Sequence, residues 1–358
     1  MIVVAMFTGV LSGQALAADR FDEEPILYST TKADNLISVM QEALDSHRIQ
    51  LEHDKDFGYL ASVLNALDVP QSSQVMVFSK TSFQNRYIAP TTPRAIYFND
   101  EVYVGTVHYG DVLEVSVTDP KLGAVYYTLS QEADVPPEFI RQSDNCLQCH
   151  ASTLTQGIPG HVVRSVFPDD EGFPILKAGS HVTNQDSPFS ERWGGWYVTG
   201  KHGAMRHMGN VLATETAKDA ILDSDAGANR ESIDDRVNTD RYLTPHSDIV
   251  ALMVLEHQTQ MHNLITQANF ETRMALKDQS VMDEILERDA SILSDSTQRR
   301  IASVGEKLLD YMLFVNEVEL EDPVKGTSDF TAFFPSQGPF DSQGRSLREF
   351  DLESRLFN

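Results

Sequence analysis

The sequence predicts an α+β fold, an antiparallel sheet-containing domain followed by a mostly helical C-terminal part. Three observations predict it. Short apolar runs separated by turn residues fill positions 70–130. The chain after residue 244 carries apolar residues at steps of three and four, the period of a helix with one buried face. The segments between are rich in Gly, Pro, Asp and Asn and show no repeat. A length of 358 residues, 41% hydrophobic, allows one large domain or two ordinary ones.

The first element is expected to be removed. Ile2 to Leu16 is apolar and uncharged and ends in Ala15-Leu16-Ala17, an h-region with an A-x-A-like cleavage site, so residues 1–17 read as a signal peptide. No later stretch is long and apolar enough for a spanning helix. Asp34 is placed to cap a helix to about His47, with Leu36, Ile37, Met40 and Leu44 on one face. A shorter helix covers Tyr59 to Leu67 and stops before Pro70.

The period then changes. Val75 to Phe78 reads as a strand, and Ala95–Phe98 with Val102–Val104 flank Asn99-Asp100 as a hairpin. Val112–Val117 and Ala124–Leu129 flank the turn residues Asp119 to Gly123. His161 to Phe167 is expected as a strand, with a short return strand at Pro174 to Lys177. Residues 215–241 show no apolar face and read as a surface excursion. A long helix runs from about Thr244 to Lys277 with Val250, Met253, His257, Met261, Leu264 and Ala268 as its stripe. A weaker helix holds Met282, Ile285 and Leu286, and another holds Ile301, Val304, Leu308, Met312 and Val315. The expected organisation is therefore an α+β domain at 18–240, a helical region packing on it at 241–322, and an irregular tail at 323–358 with a last helix near Leu347 to Phe357. The chain stops without a trailing polar segment, as a truncated product would.

The chemistry concentrates at Cys146-Leu147-Gln148-Cys149-His150, a C-x-x-C-H sequence holding both cysteines of the chain. Two thiols on one turn can add to the two vinyl groups of one porphyrin, and the adjacent His then ligates the iron. Zinc would need two further ligands at motif spacing, and a disulfide closing so short a loop would be strained. The sheet-containing domain is thus expected to carry one covalent haem c, with Cys146 and Cys149 attaching it and His150 as proximal ligand. His257 is the first candidate for sixth ligand, because a ring in the apolar stripe needs a partner. Met261 shares its face, and His262 lies about 140° round the helix. His207 and Met208, in the segment Lys201 to Met208, are the loop alternatives, and His161 would serve only if the chain folds back. Arg192 and Arg206 are candidates for the haem propionates, and Trp193, Trp196 and Tyr197 for packing on the ring. A lone Glu256-His257 pair without a second Glu-x-x-His argues against a di-iron site, and no hydrolase elbow, phosphate loop or zincin motif is present.

Formal net charge is -25 and the isoelectric point near 4.7. Such a surface repels phosphates, which argues against nucleic acid and anionic membrane surfaces and favours a basic redox partner protein, or simply a solvated acidic surface suited to a salty medium.

Cys146–His150, Arg192–Tyr197 and His207–Asn210 resemble a group of exported, otherwise uncharacterised bacterial proteins that carry a single c-type haem signature. Glu256–Thr259, Met261–Asn263 and Gly344–Arg348 extend the resemblance over most of the chain. It implies haem binding and export to the periplasm or beyond, and it implies no substrate. The expected function is electron transfer by an exported monohaem cytochrome. The alternatives are a haem enzyme, a peroxidase or small-molecule oxidoreductase with an open distal site where His257, His262 or Arg206 supplies the acid-base group, and a haem c redox or gas sensor.

Overall fold

The computed structural model describes residues 19–217 and 219–357. The signal peptide expected at 1–17 lies outside the described residues. The fold is α+β. Strands β1 (Val75–Val77), β2 (Arg94–Phe98), β3 (Val102–Thr106), β4 (Val112–Asp119), β5 (Gly123–Ser130) and β6 (Phe139–Arg141) form an antiparallel meander. Next come a two-stranded pair, β7 (Arg164–Val166) and β8 (Ser180–Val182), and then β9 (Trp196–Tyr197), which returns to the sheet edge beside β1. A second small pair, β10 (Thr214–Glu215) and β11 (Ala220–Ile221), follows.

The sheet is covered on both faces. On β4, Leu113, Val115 and Val117 are buried while Val112, Glu114, Ser116 and Thr118 are half-buried, the period of two that a pleated strand imposes. The first set packs with helices α1 (Leu36–Asp45) and α2 (Leu60–Ala66) through Ile37, Met40, Leu60 and Val63. The opposite face meets the long C-terminal helix. Asn35, not Asp34, caps α1: its side chain accepts from the N–H groups of Ile37 and Ser38, both at 3.1 Å.

Helices α3 (Asp144–His150) and α4 (Ser224–Gly227) are short. α5 runs Ile249–Ile285 and α6 Asp295–Met312, so Met282 and Ile285 continue α5 rather than begin a separate helix. Ile249 to Glu256 are all buried, because this first part of α5 lies between the sheet and the C-terminal segment. That segment is not an irregular tail. It forms α7 (Phe330–Ser336) and α8 (Leu347–Leu352), and Val324, Phe330, Leu352 and Leu356 share a core with β1 and α5. Residues 215–241 are likewise pinned, since Ile233 and Val237 are buried in the main core. Residues 161–167 make only the three-residue β7, and the expected return strand is a 3-10 turn, Leu176–Ala178. Among the described residues no helix is long and apolar enough to cross a membrane.

Asp248 joins α5 to the C-terminal segment. One carboxylate oxygen accepts from Val250 and Ala251 N–H at 2.7 and 3.3 Å, and the other from Thr327 and Ser328 N–H, both at 2.7 Å. Asp248→Ala removes a helix cap and strands two further donors, so it is expected to cost about 2–4 kcal/mol in urea unfolding. Asp248→Asn is expected to fall short of rescue, since its amide turns a donor toward one of the two donor pairs. An unchanged midpoint for the Ala variant would show that this clamp contributes nothing.

Candidate functional site

The C-x-x-C-H sequence forms α3, which starts just after β6 and so lies at the end of the sheet where β5 and β6 run. Both thiols are free, Cys146 half-buried and Cys149 exposed. None of the seven α3 residues is buried. His150 is fixed by a reciprocal pair of bonds: Gly160 N–H donates to the His150 carbonyl at 2.8 Å, and His150 Nδ1 lies 2.9 Å from the Gly160 carbonyl. A carbonyl only accepts, so Nδ1 carries the proton and Nε2 the lone pair, the form that ligates a metal. Burial lowers the His150 pKa and keeps the ring neutral. The Tyr126 ring packs 4.9 Å from that of His150, and its hydroxyl donates to the same Gly160 carbonyl.

The sheet face under α3 is polar, and its register fixes which residues share it. Glu114 pairs with Gly105 on β3 and Thr128 on β5, Ser116 pairs with Tyr126, and Thr128 pairs with Ile140. Gly105 makes room here: a Cβ at that position would lie 2.3 Å from Arg94 Nη2, so the guanidinium would have to move. The space lets the Arg94 guanidinium cross the sheet to Glu114, Nη2 to Oε2 2.6 Å. Glu114 also accepts from Ser82 Oγ at 3.1 Å and Gln84 Nε2 at 3.0 Å. Both charges act on the motif. Burial pushes the Cys146 thiol up to about 11, with Glu114 adding to the rise and Arg94 opposing it. Ile140, on the same face beside α3, is 54% exposed.

Two further histidines extend from this face toward α5. The chain does fold back at His161, whose N–H donates to Asn263 Oδ1 at 2.8 Å. Its ring packs 4.5 Å from Tyr103 and its Nδ1 lies 3.3 Å from Ser116 Oγ, while Nε2 is buried without a hydrogen-bond partner. His262 lies 5.8 Å from it, ring to ring, with Nδ1 3.0 Å from Tyr103 Oη and 3.1 Å from Thr118 Oγ1. Burial holds both rings neutral, His262 down to about 4.

The other sequence candidates are held elsewhere. His257 stacks between Tyr311 and Phe314, at 5.2 and 4.6 Å, with Nδ1 2.7 Å from Gln185 Oε1. It lies about 7.5 Å back along α5 from His262 and turns to α6. Met261 is half-buried beside His262. His207 packs against Trp193 at 5.2 Å and His202 at 4.7 Å, and its Nδ1 accepts from Gly209 N–H. Met208 Sδ accepts from Ser165 Oγ. Arg192 is buried and spends its donors on Glu256 and the carbonyls of Gln185 and Ser187. Arg206 pairs with Asp225 at the surface. Trp193, Trp196 and Tyr197 are buried core residues. Thus neither arginine expected to meet propionates lies free, and Arg94 is a guanidinium whose charge reaches Cys146.

The donor set and its surroundings fit a covalent haem c. Two free thiols share one short helix, an imidazole is oriented with Nε2 left able to coordinate, and among the described residues Cys149 and Ile140 stay exposed beside it. Among the described residues no group of three or more His, Cys, Asp or Glu suits a bare metal ion. The chain matches no protein-family model, no curated protein and no solved structure.

Proposed function

We propose that this chain is an exported, single-haem c-type cytochrome that transfers electrons, with the haem joined to Cys146 and Cys149 and ligated by His150. The observation that carries this reading is the His150 Nδ1 contact with the Gly160 carbonyl on a C-x-x-C-H helix, since it selects the ligating tautomer before any iron is bound. When bound, the haem supplies a one-electron couple. The chain supplies the anchoring thiols, the oriented imidazole and the polar sheet face behind it. A strongly acidic chain favours a basic redox partner.

One observation favours a second reading. His257, His207 and Met208, three of the candidates for sixth ligand, are engaged away from α3. A haem with an open sixth position would suit a small-molecule oxidoreductase or a sensor. The deciding measurement is the absorption spectrum of protein matured in a periplasm, oxidised and reduced, with and without carbon monoxide. A c-type spectrum that carbon monoxide leaves unchanged is the result expected for electron transfer. A carbon monoxide shift would establish the open site, and no covalent haem at all would overturn both readings.

A further inference from the structure

We propose that the Arg94–Glu114 ion pair is the electrostatic wall of the haem site and sets the reduction potential of the iron. The proposal rests on haem attachment at Cys146 and Cys149. Sheet register carries the geometry. Glu114 lies two residues from Ser116 on one strand and on one face, and Ser116 is directly opposite Tyr126, the residue on which His150 packs. Neighbours of this kind on one face of a sheet are within side-chain reach. Thr128, across the ladder from Glu114, in turn faces Ile140, the exposed residue where β6 leads into α3.

The pair is built into the sheet. Gly105 supplies the gap that the Arg94 guanidinium crosses, and any side chain there would collide with it. Glu114 receives Arg94, Ser82 and Gln84 together. The two side chains are only 20% and 17% exposed, so solvent screens them less than surface charges. Arg94 Nε is buried without a hydrogen-bond partner, leaving the guanidinium one donor not spent on Glu114. A charge beside a haem acts unequally on its two redox states, because the oxidised iron carries one more positive charge. Removing Arg94 favours the oxidised state and removing Glu114 favours the reduced one.

The test is the midpoint potential of the matured holoprotein, by spectroelectrochemical titration. Arg94→Gln is expected to lower it and Glu114→Gln to raise it, with the visible spectrum of each unchanged. Arg94→Lys and the Arg94→Gln/Glu114→Gln double variant are expected close to wild type. If a single variant fails to fold, Thr128→Glu and Thr128→Lys pose the same question from the partner strand, lowering and raising the potential. Shifts of one sign for both charges, or none, would overturn the proposal. Wild-type protein without covalent haem would instead overturn the reading beneath it.

Discussion

Replacing both Cys146 and Cys149 with Ala is expected to abolish covalent haem while leaving the fold intact. Both thiols sit on α3, Cys149 exposed and Cys146 half-buried, so the substitutions remove little buried volume. Their stability cost in the haem-free protein should stay near the ordinary value for a single substitution, about 1 kcal/mol, most of it from Cys146. Haem staining after denaturing electrophoresis, read beside circular dichroism, separates the two effects. His150→Ala is expected to differ in kind. The thioether bonds remain available, so haem is retained, but the proximal ligand and the bond to Gly160 are lost and the spectrum changes. Haem retained by the double Cys variant through a covalent bond would sink the assignment.

Much of this fold was legible because each strand of the meander carries its own signal. Asn99-Asp100 and Asp119 to Gly123 are turns wherever they occur, and the alternation on β4 shows its buried face directly. What escaped was non-local. β9 joins β1 across a long excursion, and its place depends on Gly195, whose positive φ and missing side chain let the backbone approach Ser79. Ile233 and Val237 were hidden in a polar stretch because two apolar residues make no period. The site followed the same division. The contiguous Cys146–His150 sequence carries the haem c expectation by itself, but the sheet face around it is assembled from separate strands. The one signal for Arg94 was a Gly inside a strand, Gly105, which marks a close approach without saying of what. His257 was favoured because its stripe points inward. Inward at His257 means Tyr311 and Phe314, while Gln258 and His262, on another side of α5, are the residues that reach the sheet residues Tyr103 and Thr118.

Arg192→Ala is expected to be among the most destabilising single changes in the chain, by roughly 3–5 kcal/mol at pH 8, because it leaves an uncompensated acid in the core. Arg192 and Glu256 are 3% and 1% exposed, with Nη1 to Oε2 at 3.2 Å. Arg192 also ties down the carbonyls of Gln185 and Ser187. Glu256 is a costly buried anion: burial pushes its pKa up to about 7 despite the guanidinium beside it. The sign follows from linkage. An acid whose folded pKa exceeds its unfolded value of 4.5 makes a contribution that is fully present below about pH 4.5 and lost as pH rises through about 7. Wild-type stability should therefore decline over that window relative to Glu256→Gln, which keeps the shape without the charge. The Arg192→Ala loss should be smaller at pH 5 than at pH 8, since Glu256 can then meet the loss as a neutral acid, and adding Glu256→Gln should recover part of it at pH 8. Urea midpoints of the four proteins in haem-free form at the two pH values decide this. Equal losses at both would mean that the packing of the Arg192 side chain, and not the charge it balances, is what the core requires.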